Sequence, residues 1–151
     1  MKLILSLAFF MMYLAGQADV ITLRRLFAKA NVDPASNEKL IELTKHADLK
    51  KQPLLYAYHA AGIISMANHV YWPGKKYSYF NEGKEKLERV VNFAPMNVEI
   101  RFVRFSIQKG LPFLLGYYNE MEEDKQFILS HLVTTDWTKA YQQEVKDFLN
   151  S

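Results

Sequence analysis

Glu120, Glu122, Glu123 and Asp124 crowd into the stretch YYNEMEED, residues 117–124. So many carboxylates together are what a calcium loop or a carboxylate-based hydrolase needs. A calcium loop, however, interleaves its ligands with turn residues and requires a glycine. Here the acids follow Asn119 into what reads as the first turn of a helix, where they complement the helix dipole. A hydrolase would need a second acid facing the same cleft, such as Glu82 or Glu85 opposite Glu123. The histidines, His46, His59, His69 and His131, include no pair at the i, i+4 spacing of a metal-binding helix, and they read as capping or packing residues. There is no G-x-S-x-G, no glycine-rich phosphate loop and no cysteine, so nucleophilic serine, phosphate-cradle and thiol chemistry lack their residues. No catalytic, metal-binding or cofactor-binding residue is assigned, and no cofactor is implied.

Two groups of residues suit binding instead. Arg101, Arg104 and Gln108 form a polar strip on an otherwise apolar helix. Such a strip is either a solvated face or the lining of a concave groove for an acidic partner, since arginine matches carboxylates in geometry. The second group is aromatic. YWPGKKYSYF places Tyr71, Trp72, Tyr77 and Tyr79 around a Pro-Gly pair and two lysines, and LPFLLGYY supplies Phe113, Tyr117 and Tyr118. Both read as irregular connections. They either carry small cores of their own or present a recognition surface for a peptide or glycan, because aromatics enrich such surfaces.

The elements that must position these groups are helical. Lys2, the apolar run over 3–14 and the small residues Gly16 and Ala18 have the pattern of an export leader with cleavage between Ala18 and Asp19. The run is shorter than the roughly 20 residues of a membrane span. The expectation is therefore an exported protein, periplasmic or extracellular, without stable membrane insertion after cleavage, and a single domain over 19–151. A net charge of +3, one unit of it on Lys2, is too mild to suggest nucleic acid. No segment alternates with a period of two, whereas helical spacing recurs. The pattern predicts helices over 20–31, 37–47, 53–70, 82–93, 98–109 and 120–132, and a last one after Asp136 with Trp137, Tyr141, Val145 and Phe148 on its apolar face. Ser36 or Asn37 is the expected cap of the second helix and Asp136 that of the seventh.

YFNEGKEK, from residue 79, repeats the phrase YYNEMEED about 38 residues earlier. Asn37-Glu38, Asn81-Glu82 and Asn119-Glu120 each read as the opening of the second helix of a hairpin. Gly83, Leu87, Val90 and Pro95, with Tyr58, Ala61 and Gly62 in the preceding helix, then resemble the tetratricopeptide repeat. The match is to one repeat and places an insertion over 70–78. The third hairpin carries Lys125 where the large apolar residue would stand. The layout is also similar to small exported helical proteins without an assigned activity. The resemblance implies an all-α, right-handed stack of about three antiparallel helical hairpins closed by a C-terminal capping helix. It implies a non-catalytic protein-interaction or scaffold module whose partner is a protein or peptide. The alternatives are a small-molecule, peptide or glycan binder using the aromatic connections, and a carboxylate-dependent hydrolase.

Overall fold

The computed structural model describes residues 19–151; the expected leader over 1–18 lies outside the described residues. The described chain is all-helical. Its seven α-helices are α1 (Val20–Lys29), α2 (Pro34–Thr44), α3 (Pro53–Ser65), α4 (Pro73–Phe93), α5 (Val98–Gly110), α6 (Met121–His131) and α7 (Lys139–Asn150). None of them is long and apolar enough to cross a membrane.

Prolines set three of the starts. Pro34, Pro53 and Pro73 each occupy the first helical position, where a fixed φ is already helical and the missing N–H has no role. Asp33 caps α2 by accepting from the N–H groups of Ala35 and Ser36, both at 3.2 Å. The cap expected at Ser36 or Asn37 is thus displaced by one turn. Asn37 lies inside α2, fully buried, and donates to the Gly62 carbonyl at 3.1 Å. At α7 the cap is Thr138, which accepts from the Tyr141 N–H at 3.2 Å, rather than Asp136. α3 stops at Ser65 and a 3-10 turn, Met66–Asn68, carries the chain on, so the helix is shorter than the expected 53–70.

The largest departure concerns α4. The stretch expected to be an aromatic loop is its first two turns, because Pro73-Gly74 opens a helix instead of making a turn. A continuous helical stripe follows from Phe80 through Gly83, Leu87, Val90 and Val91, all buried. Asn81-Glu82 therefore sits within α4, and Asn37-Glu38 within α2. Of the three Asn-Glu pairs only Asn119-Glu120 stands at a helix start. The repeated phrase marks unlike places.

α4 packs most extensively on α3, and α2 covers another side of α3. The main core gathers Leu23, Leu40, Tyr58, Ala61, Leu87, Ile100 and their neighbours from α1 to α5. A second core forms between α5, α6 and α7 from Phe105, Ile128, Leu132, Trp137, Val145 and Leu149. α7 rests on α5 through rings, Phe148 meeting Phe102 and Phe105 edge-on at 5.8 and 6.2 Å.

Side-chain contacts fix the helix directions. Near one end, Arg24 of α1, Tyr58 of α3 and Trp137 just before α7 all reach Glu99 at the start of α5. At the other end, Ser65 donates to Asn31 at 2.9 Å, a methyl on Gly110 would lie 3.6 Å from Asn31, and Lys109 donates to the Phe148 carbonyl at 2.6 Å. The odd-numbered helices thus run in one direction, and α2, α4 and α6 return.

Candidate functional site

α1 and α7 stand side by side on α5 with a gap between them. The gap is an open groove of about 770 Å³, within the range of ligand sites. Phe27, Phe102 and Val145 contribute its apolar floor, and Ile21 and Phe148 its sides. Ala28 of α1, Ser106 of α5 and Ala140 of α7 also line it, and their short side chains leave the gap open. The last helix turns its Gln142, Val145 and Leu149 side inward and leaves Phe148 at 37% exposure. The apolar face expected for it, with Phe148 in the core, is rotated toward the groove.

One end of the groove is pinned. Glu99 accepts from Arg24 Nε and Nη2 at 2.8 and 2.7 Å, from the Tyr58 hydroxyl at 2.6 Å and from Trp137 Nε1 at 3.3 Å. The Arg24 guanidinium also lies 4.5 Å from the centre of the Tyr141 ring, a cation–π contact. Burial works against its charge, but the hydrogen bond and the charge of Glu99 outweigh that and hold it firmly protonated. Burial, helped by the Glu99 charge, pushes the Tyr141 phenol up to about 12. At the rim, Arg25 and Glu144 are exposed, and neither joins an ion pair among the described residues.

The polar strip of α5 lies elsewhere. Arg104 is 5% and Gln108 3% exposed, so the strip is neither a solvated face nor open to a partner. Arg104 forms a two-pronged pair with the fully buried Asp124 at 2.7 Å and reaches Glu88 at 2.9 Å. Arg101 donates to Glu123 at 2.7 Å and Asp124 at 2.9 Å. Gln108 donates to Glu120 at 2.8 Å. Glu120, Glu123 and Asp124 of YYNEMEED are thus the counterpart of this strip, joining α6 to α5, while Glu122 is exposed and accepts from Gln126 on its own helix. Glu82 and Glu85 are exposed and line no part of the groove. Among the histidines, His59 faces Thr44 at 3.2 Å, His69 reaches the Ala30 carbonyl at 2.6 Å, and His131 stacks on Phe127.

The aromatic residues divide. Tyr117 is buried, hydrogen-bonded to Glu88 and edge-on to Phe80 at 6.1 Å. Tyr79 is half-buried. Tyr71, Trp72, Tyr77, Phe113 and Tyr118 are exposed, the last two stacked at 4.3 Å.

Tyr58 and Tyr117 make the fold sensitive to alkali. Burial first, then the neighbouring carboxylates Glu99 and Glu88, push both phenols well above the ordinary tyrosine value of 10. Their contribution is complete below that pH. Above it the unfolded chain releases protons that the folded chain keeps, so stability falls as pH rises. Urea midpoints measured from about pH 8 to about pH 11 should decline, and the decline should be shallower in Tyr58→Phe/Tyr117→Phe although that variant starts lower. An unchanged slope would contradict this origin.

No family model matches the chain, and no curated protein or solved structure matches it either.

Proposed function

We propose that this chain is an exported, non-catalytic interaction module that holds a peptide segment of a partner protein in the groove between α1 and α7. The observation that carries this reading is the groove itself: an apolar floor on three helices, open along one side, with a cation and an anion at its rim that pair with no other charge among the described residues. An amphipathic segment presents what such a surface takes, apolar anchors at helical spacing and charges flanking them. Arg25 would meet an acid of the segment and Glu144 a base.

Two further observations support a binding role over a chemical one. Glu99 and Asp124, the most deeply held carboxylates, are occupied by guanidinium, phenol and indole donors. A carboxylate has about four lone-pair sites; Glu99 accepts four such bonds and Asp124 three, so both are committed to holding helices together. The common direction of the odd-numbered helices, together with Gly83, Leu87, Val90 and Pro95 at the spacing of a tetratricopeptide repeat, favours a stack of helical hairpins. Such a stack would have to curl, because Arg24 of α1 bonds Glu99 of α5. The apolar run over 3–14 supports export.

Selection of displayed random peptides against the protein tests the reading. Enriched sequences should carry apolar residues at helical spacing, and their binding should be lost in Ala28→Trp and Ala140→Trp, which fill the groove from exposed positions. Peptides that bind these variants as well as the parent would refute it.

A further inference from the structure

Three connections meet at one end of the molecule. The α1–α2 turn, the α3–α4 connection and the α5–α6 connection are held together there by the bonds from Ser65 and Asn68 to Asn31 and from His69 to the Ala30 carbonyl, and by the approach of Gly110 to Asn31. Each connection exposes large apolar side chains. Val32 is 82% exposed, Tyr71 98%, Trp72 74%, Phe113 76% and Leu114 85%. One turn along α4, Tyr77 is 64% exposed. The α5–α6 connection packs directly on α4, through Phe80 against Tyr117 and through Lys84 lying 4.8 Å from the centre of the Tyr117 ring.

The charges beside Tyr71 and Trp72 are positive, whereas the acidic first turn of α6 follows the α5–α6 connection. Residues 71–79 contain Lys75 and Lys76 and no acid. Both lysines and Lys29 are exposed and form no ion pair among the described residues. Asp33 is engaged in capping α2, and Lys109 is engaged by the last turn of α7.

We infer that this end of the molecule docks on an anionic lipid surface, with Trp72 and Tyr71 entering the headgroup region and Lys75 and Lys76 meeting lipid phosphates. Tyrosine and tryptophan favour that region because the ring is apolar and its polar tip stays hydrated. Lysines beside them add attraction to anionic lipid. A protein partner is the poorer fit. Side chains exposed to the extent of Tyr71 and Leu114 touch little of their own chain, so they are not held in the fixed geometry that protein anchor residues need. A lipid interface accepts mobile anchors. The groove between α1 and α7 reaches this end at Asn31 but is lined by none of the aromatic anchors or lysines, so this inference does not depend on it.

Fluorescence of the full chain with vesicles tests the proposal. The chain has two tryptophans; Trp137 is buried at 6% exposure and Trp72 is the accessible one. Because the run over 3–14 is apolar in its own right, the readout is the position of Trp72 rather than vesicle association. With phosphatidylglycerol-containing vesicles, a lipid-borne quencher should reduce emission in the parent and leave Trp72→Phe unaffected. Pure phosphatidylcholine vesicles should give little of this effect. Lys75→Gln/Lys76→Gln should raise the anionic lipid concentration needed by on the order of tenfold or more, and moderate salt should act in the same direction. Trp72 remaining open to an aqueous quencher on anionic vesicles would overturn the proposal. Equal quenching on neutral vesicles would overturn it too, as would protection of Trp72 without lipid, whether by added oligosaccharide or by self-association at higher protein concentration.

Discussion

Glu99→Ala is expected to lose about 3–5 kcal/mol of stability, the cost of removing one partner from a buried charged network. Glu99 gathers Arg24, Tyr58 and Trp137 from three different parts of the chain onto one carboxylate. Without it, a largely buried guanidinium, a buried hydroxyl and a buried indole N–H all lose their acceptor, and each stranded donor carries a desolvation penalty. Glu99→Gln keeps the volume but halves the accepting oxygens and points an NH₂ group at donors, so it should lose most of the same stability. Arg24→Met combined with Glu99→Leu removes both charges and should recover part of the loss, since apolar replacement of a whole pair is often near neutral. Recovery should be incomplete because Tyr58 and Trp137 still lack an acceptor. Urea unfolding of the four chains gives the comparison. A Glu99→Ala chain within about 1 kcal/mol of the parent, less than a typical net hydrogen bond plus its stranded donor, would show that water or local rearrangement replaces the network.

The elements that could be read from the sequence are those whose signals are local. Pro53 places α3 where it occurs, and α5 ends at Gly110, one residue beyond its expected end. The start of α4 was not legible in this way. Pro-Gly after two aromatics resembles a turn, and only packing against α3 shows that the period of three to four residues begins at Phe80. Arg101, Arg104 and Gln108 were legible as a strip, but their burial was not. Their partners, Glu88, Glu120, Glu123 and Asp124, come from neighbouring helices, and no spacing along the chain announces such a pairing. The groove had the faintest trace. It arises where Ala28, Ser106 and Ala140 leave space, and three small residues on distant helices carry no pattern. The one visible hint was on α1, where Ile21 and Ala28 lie seven residues apart, outside the stripe of Leu23 and Ala30 that enters the core.

Gly83→Ala should destabilise by about 2–3 kcal/mol, toward the upper end of overpacking costs. Helix propensity alone predicts the opposite sign, since alanine inside a helix is favoured over glycine by about 1 kcal/mol. Geometry decides between the two. A methyl on Gly83 would lie 2.5 Å from Ile64 Cγ1, 2.7 Å from the Ala60 carbonyl oxygen and 2.8 Å from the Ile64 backbone nitrogen. The side chain of Ile64 can move, but the two backbone atoms belong to α3 and cannot yield without separating it from α4. That interface is the most extensive in the molecule. The other helical glycines supply the controls. At Gly62 a methyl would meet Ile41 Cγ1 at 2.9 Å, a flexible side chain, so Gly62→Ala should cost less. At Gly74 nothing lies within 4 Å, so Gly74→Ala should gain a few tenths of a kcal/mol up to about 1. Thermal or urea unfolding should therefore rank the chains Gly74→Ala, parent, Gly62→Ala, Gly83→Ala in falling stability. Adding Ile64→Val to Gly83→Ala should not restore the parent value, because the backbone contacts remain. Full rescue by Ile64→Val would place the constraint in that side chain and show that α3 and α4 can separate at little cost.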